Sequence, residues 1–335
     1  MVPAGDAHAG SAHARRRAAL TRLAGVSAER TVRTLAWLAR ECTGDALLLA
    51  ELACDPVGLL GLFQPPGSSR EARELRGCCG GRSGRLASGV LLACARVEAP
   101  GEWLGEPAEA LSGARLLNRL VRGLLAGLTP FGVGASYPGR DFVVARGRRV
   151  AQLALGRDAR GALLFQALLG VTRACFGDEP DAVFPGLPVP PPPGVLELAP
   201  EALASALARG FGERFGLELE PGTAGEAEPP PLADPELAGL SSAGALAIPI
   251  GELRAHVALG ADGALARVRL RGDFMAAPAP LRALEDALAG LAPAGAAVAE
   301  RCARWLAAPE SGVVGVTDPG ALALAIARSA THSSL

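Results

Sequence analysis

The stretch best suited to chemistry in this 335-residue chain is Arg76-Gly-Cys-Cys-Gly-Gly-Arg-Ser-Gly-Arg-Leu-Ala-Ser-Gly89, which interleaves glycines with Arg76, Arg82 and Arg85. A glycine-rich turn lets backbone N–H groups approach an anion with no Cβ in the way, and an adjacent guanidinium neutralises its charge. The pattern suits an anion such as phosphate; in a chain with 43 glycines the alternative is a plain loop. Cys79 lies in the same loop, where the flanking arginines would lower a thiol pKa toward that of a nucleophile. The alternative is a cysteine that only fills a small-residue position. Cys175, in Ala-Cys-Phe after an apolar stretch, reads as core.

Other chemistries are excluded by what the chain lacks. All 33 basic residues are arginine, so no lysine is present for a Schiff base or a phosphate-binding P-loop. Only four histidines occur (His8, His13, His256 and His332), which excludes a Ser-His-Asp triad or a histidine-rich metal site in the central region. The formal net charge is −1 and the arginines are spread along the chain, so no positive stripe suits a nucleic-acid backbone. The seven cysteines form no CxxC pair, and their odd number argues against a complete disulfide framework; a reducing cytoplasm is expected. The basic cluster Arg15 to Arg17 precedes an apolar stretch broken by Thr21, Arg22 and Gly25, which makes a poor signal peptide. Runs such as Ala46 to Ala50 and Val57 to Phe63 fall far short of the roughly 20 apolar residues that span a bilayer, so no membrane association is expected.

The elements that must position the loop follow from periodicity. With 50% hydrophobic residues, the length suits one large domain plus one small one. Residues 1–27 read as a flexible extension, and 29–50 as a helical stretch interrupted near Thr43-Gly44. Val57 to Phe63 reads as a buried strand, and Leu116 to Leu128 as an amphipathic helix stopped by Thr129-Pro130. Phe142 to Ala145 and Val150 to Leu155 predict a strand, a tight turn at Arg146 to Arg149, and a returning strand. The apolar density of Ala162 to Val171 allows helix or strand. A polyproline-like connection at Pro185 to Pro193 leads to a helix opened by Pro200, with Leu203, Leu207, Phe211 and Phe215 in line. A Pro-rich linker at 226–243 then separates a domain over 28–225 from a small α+β module over 244–330. In that module, two strands flank Gly260 to Gly263, Leu281 to Leu291 mark a helix, and a last helix starts at Asp318-Pro319.

Three separated segments, in order, resemble the lipoate-protein ligase A family. The Arg76 to Gly89 loop aligns without a gap to the family's arginine- and glycine-rich cofactor loop: Arg76 matches its first arginine, Gly80 and Gly81 two glycines of its triplet, and Gly89 its closing glycine. The stretch Gly139-Arg140-Asp141 through Gly147-Arg148-Arg149-Val150 is similar to the family's strand bearing Arg and Asp, followed by a turn whose lysine touches cofactor carboxylate and α-phosphate. Arg149 stands at that lysine, and Gln152-Leu153 replaces a small pair. Asp262-Gly263, Arg271-Gly272-Asp273-Phe274 and Leu284 to Gly290 resemble the family's accessory domain, and Gly61-Leu62-Phe63-Gln64 its strand end before the glycine loop.

The resemblance implies an α+β fold: a mixed β-sheet catalytic domain of the biotin/lipoate-protein ligase type with a small C-terminal α+β accessory domain. It makes Ala162 to Val171 a strand. It implies lipoate or octanoate as substrate, with ATP and Mg²⁺, held by Arg76, Gly80, Gly81, Arg82, Ser83, Gly84, Arg85, Arg140 and Asp141, with Arg149 in the catalytic position. The implied partners are lipoyl carrier domains of 2-oxoacid dehydrogenases or the glycine-cleavage protein. Gly77, Cys79, Leu86 and Ala87 replace polar family residues, so two readings stand: a divergent ligase or acyltransferase, and a non-catalytic relative that binds a lipoyl ligand, a carrier domain or an active partner.

Overall fold

A computed structural model describes residues 16–107, 110–176 and 189–333. Its first element corrects an expectation, because Arg16–Val26 is a strand, β1, and only the first fifteen residues of the expected extension lie outside the described part. β1 lies between β2 (Ala46–Leu52) and β11 (Leu217–Pro221), parallel to both. Its polar residues are tolerated because two neighbours satisfy its backbone, a pairing invisible to local periodicity. The stretch 29–50 is likewise split: α1 (Ala28–Arg40) is capped by Ser27, whose Oγ accepts from the Arg30 N–H at 3.2 Å, and Leu47 to Leu49 belong to β2.

Antiparallel strands continue the sheet through β6 (Val90–Val97), β10 (Leu163–Gly170), β9 (Arg148–Arg157), β8 (Phe142–Ala145) and β7 (Ala135–Ser136). The fold is therefore α+β with a large mixed sheet of eight strands. Ala162 to Val171 resolves as strand, buried along its whole length between β6 and β9. Both faces of the sheet are covered. After β6 comes the short α2 (Pro100–Leu104), and on one face lie α3 (Gly113–Leu128) and α4 (Pro200–Phe215), the two helices expected from Leu116 to Leu128 and from Pro200. On the other lie α1 and a small sheet of β3 (Val57–Leu60) between β4 (Glu74–Arg76) and β5 (Gly84–Leu86). The glycine loop joins β4 to β5, so it is pressed onto the second face. The expected connection at Pro185 to Pro193 is described from Val189 onward, and Pro192 and the following Gly194 run beside Arg149.

The C-terminal region is α+β, as expected. β12 (Leu246–Ile248), β13 (Gly251–Leu259) and β14 (Leu265–Gly272) form an antiparallel sheet, with the Gly260 to Gly263 turn between the last two. α5 (Pro278–Ala287), α6 (Ala296–Ala307) and α7 (Pro319–Ser333) cover it; α6 was not expected. The module shares one apolar core with the large sheet: Phe63 stacks on Phe274 at 5.1 Å, and Gly272 N–H donates to the Phe63 carbonyl at 2.9 Å. Among the described residues no helix is long and apolar enough to cross a membrane.

α3 and α4 approach closely enough for backbone to meet backbone at Gly127 and Gly210, beside the Phe211 and Phe215 rings packed on Gly123. A Cβ on Gly210 would lie 2.3 Å from the Gly127 nitrogen. Gly210→Ala must therefore push the helices apart, and we expect a loss of about 1–3 kcal/mol in denaturant unfolding, with an unchanged midpoint contradicting this packing.

Candidate functional site

The hairpin of β8 and β9 turns at Arg146 (φ 51°) and Gly147 (φ 72°), the left-handed pair of a tight two-residue turn. Immediately after it the register slips. Val143 pairs with Ala151, but Val144 pairs with Arg149, so Val150 is an extra residue on β9. Strict alternation would put Arg149 and Gln152 on opposite faces; the bulge puts both on the face that carries α1 and the glycine loop. Val150 and Ala151 together enter the opposite core. Backbone from the Pro-rich segment satisfies the groups this irregularity exposes: Arg149 N–H donates to the Pro192 carbonyl and Gly194 N–H to the Arg149 carbonyl, each at 2.9 Å.

Arg149 is 2% exposed, with its guanidinium carbon 4.5 Å from the Phe176 ring centre and 5.8 Å from that of Phe142. Arg140 also lies over Phe142, 5.1 Å from its ring centre. Such stacking fixes a guanidinium plane and strengthens its field in a dry site. Arg82, Arg140 and Arg149 all act on Asp141, which is 1% exposed; burial raises its carboxyl pKa above the ordinary range while these three cations pull it down. Three guanidinium groups around one carboxylate leave the region positive.

One cleft is lined by Arg82, Ser83, Gly84 and Arg85 of the glycine loop and by Arg149 and Gln152 of β9, with Ser69, Arg70, Glu71 and Phe176 completing it. The two expected segments thus meet in one cavity, whose free volume is about 30 Å³. Arg85 Nε is engaged by Glu71 Oε1 at 2.6 Å. Glu71 and Phe176 escaped the sequence reading, since nothing about their spacing sets them apart. Gln152, 4% exposed, donates from Nε2 to the Arg82 carbonyl at 2.8 Å.

Other expected site residues are placed elsewhere. Arg76 is buried and donates to the carbonyls of Leu62 (2.9 Å), Gln64 (2.6 Å), Pro231 (3.0 Å) and Leu232 (2.8 Å), so it ties the end of β3 to the Pro-rich linker. Gly80 and Gly81 serve close packing. Gly80 bridges to Leu155, and a Cβ on it would meet the Phe274 carbonyl at 2.8 Å; a Cβ on Gly61 would meet the Gly81 carbonyl at 2.0 Å. The glycine pair lets the loop wedge between β9 and the C-terminal module. Of the two readings of Cys79, burial agrees with the cysteine that fills a small-residue position: it is 3% exposed beneath β9, and burial raises its thiol pKa well above 9, the opposite of activation. Cys175 is core, as expected.

No protein-family model and no curated protein matches the sequence. In structure the chain is similar to lipoate-protein ligases and to a biotin protein ligase. A bi-partite lipoate protein ligase from Thermoplasma acidophilum, described with its E2 lipoyl domain, is 15% identical over 63% of this chain and 88% of that one, with a TM-score of 0.47. LipL1 of P. falciparum, in complex with lipoate, is 10% identical over 76% and 85%, with a TM-score of 0.49. The biotin protein ligase from Aquifex aeolicus, in complex with biotin and ATP, is 10% identical over 59% and 70%, with a TM-score of 0.34.

Two expectations follow from the geometry. Arg76→Ala leaves several buried carbonyls without a donor, at about 1–3 kcal/mol for even one that water cannot reach, so a lowered denaturant midpoint is expected and an unchanged one would refute the tie. Asp273 accepts from Gln64 Nε2 at 2.6 Å and from the Glu252 N–H at 2.8 Å, yet burial pushes its carboxyl up to about 6 from 3.8, with Arg82 lowering it and Asp141 raising it. A carboxyl that holds its proton more tightly when folded stabilises fully below pH 3.8, and that contribution is lost as pH rises through about 6. The stability of the native chain relative to Asp273→Asn should therefore fall between pH 4 and 7, by up to about 2–3 kcal/mol. A pH-independent difference would show that the carboxyl titrates normally.

Proposed function

We propose that the chain is a lipoate-protein-ligase-like enzyme that activates lipoate or octanoate with ATP and passes the acyl group to a lysine on a lipoyl carrier domain, of the kind found in 2-oxoacid dehydrogenases and the glycine-cleavage protein. The observation that carries this reading is the single positive cleft shared by Arg82 to Arg85 and Arg149. In the first step a carboxylate oxygen bonds to the α-phosphorus of ATP while the bond to pyrophosphate breaks. In the second, the carrier amine nitrogen bonds to the acyl carbon, AMP leaves with the bonding pair, and the amine loses a proton to solvent.

The first step meets two negative reactants, so fixed cations lower its barrier by offsetting charge on the phosphate oxygens. On this reading Arg149 does this from β9 and Arg82 from the loop, while the Ser83 and Gly84 segment lines the same cleft. The stacked Arg149 guanidinium is planar and fixed, where an ammonium would be compact and mobile; it suits holding a phosphate better than following one through a transition state. Among the described residues no group of three His, Cys, Asp or Glu could hold a metal ion, and Asp141 and Glu71 are already engaged by arginines. The donor set therefore does not form a magnesium site by itself, and no step is assigned to that ion. The described cysteines are free, which suits a cytoplasmic setting.

A second reading, a non-catalytic relative that binds a lipoyl ligand or carrier, is favoured by the fixed stacking of Arg149 and the small free volume around it. ATP–pyrophosphate exchange with lipoate or octanoate separates the two. The enzyme reading expects exchange by the native chain, increased severalfold by Arg149→Lys. Absence of exchange in both folded proteins, with carrier binding retained, would sink the enzyme and leave the binder.

A further inference from the structure

A second cavity lies directly behind the cleft. Leu59, Leu60, Ala154 and Leu168 give it apolar surface and buried Gln166 a polar edge, and it shares Arg82, Gly84 and Gln152 with the cleft in front. Its free volume is about 10 Å³, close to the least that holds one water. The shared wall is thin because Gly84 has no side chain: a Cβ there would lie 2.4 Å from Leu168 Cδ1 and 3.3 Å from Gln152 Oε1. Gln152 is the movable part of that wall.

Its amide is held from one end only. Nε2 donates to the Arg82 carbonyl, whereas Oε1 is buried with no hydrogen-bond partner among the described residues. A buried acceptor left unpaired is costly, so the closed position is weakly held and one hydrogen bond resists its displacement. Ala154 shares this face of β9, and Leu168 pairs directly with Gln152 across β10, so a side chain leaving the wall would uncover aliphatic surface.

We propose that Gln152 sets acyl-chain length at this site: a carboxylic acid with a short tail binds with the amide closed, and a longer aliphatic tail must displace Gln152 to reach the cavity between Leu59, Ala154 and Leu168. This rests on the reading of the cleft as a carboxylate and phosphate site. Each methylene moved into an apolar cavity strengthens binding roughly fourfold when nothing must be displaced. Closure by Gln152 suppresses that gain in the native chain.

The test is calorimetric titration of butyrate, hexanoate and octanoate into the native full-length chain, Gln152→Ala and Gln152→Leu, each in the presence of a non-hydrolysable ATP analogue and each checked for an intact thermal transition. Gln152→Ala is expected to favour octanoate over butyrate at least tenfold more than the native chain does. Gln152→Leu keeps the bulk and is expected to keep the native profile. The same length dependence in the native chain and Gln152→Ala would overturn the gate while leaving the cleft reading intact. A Gln152→Leu profile matching Gln152→Ala would also overturn it, since bulk would not then be the barrier. Failure of every acid to bind every folded protein would overturn both the gate and the reading beneath it.

Discussion

One extra residue in a strand governs the chemistry of this molecule. Without the bulge at Val150, Arg149 would face the core formed with α3 and α4, where a guanidinium has no anionic partner, and the turn of β8 and β9 would offer the glycine loop nothing. With it, Arg149 and Gln152 share a face, Phe142 and Phe176 fix the cation, and the Pro192 to Gly194 backbone closes the hydrogen bonds the slip opened. Charge, aromatic packing and backbone satisfaction converge on one position of β9, and the cleft follows.

The rest of the loop layer holds that arrangement in place. Arg76 spends its donors on carbonyls of β3 and the Pro-rich linker, and Gly80 and Gly81 bring the loop within backbone contact of β9 and Phe274. Residues that look like ligand contacts in one dimension become structural members in three. The part of the loop that lines the cleft narrows to Arg82 through Arg85, and Arg149 supplies the opposing cation from the sheet.

Local pattern revealed what local forces decide. The Arg146-Gly147 turn, the amphipathic α3, the proline-opened α4 and the Gly260 to Gly263 hairpin are each specified by residues a few positions apart, and each stands as expected. β1 was hidden because its stability comes from parallel partners some 30 and 200 residues away in sequence, a separation approximate and far beyond any periodicity window. Leu47 to Leu49 suggest helix yet form strand, because a short buried apolar run reads alike as either. At the site, the position of Arg149 was legible only through resemblance. The fate of Arg76, the raised thiol of Cys79 and the half-satisfied amide of Gln152 depend on burial, which no residue announces by its type.

The Phe63 and Phe274 rings, almost parallel at 7°, belong to a single apolar interior that runs from α3 through the large sheet into the C-terminal module, with the part-buried Gln64–Asp273 hydrogen bond at its edge. Such continuity makes the module a co-folding part of the whole and not an appendage on a tether. Heat should melt the two together in one calorimetric peak, and a chain shortened before β12 would expose a greasy scar where the module had been.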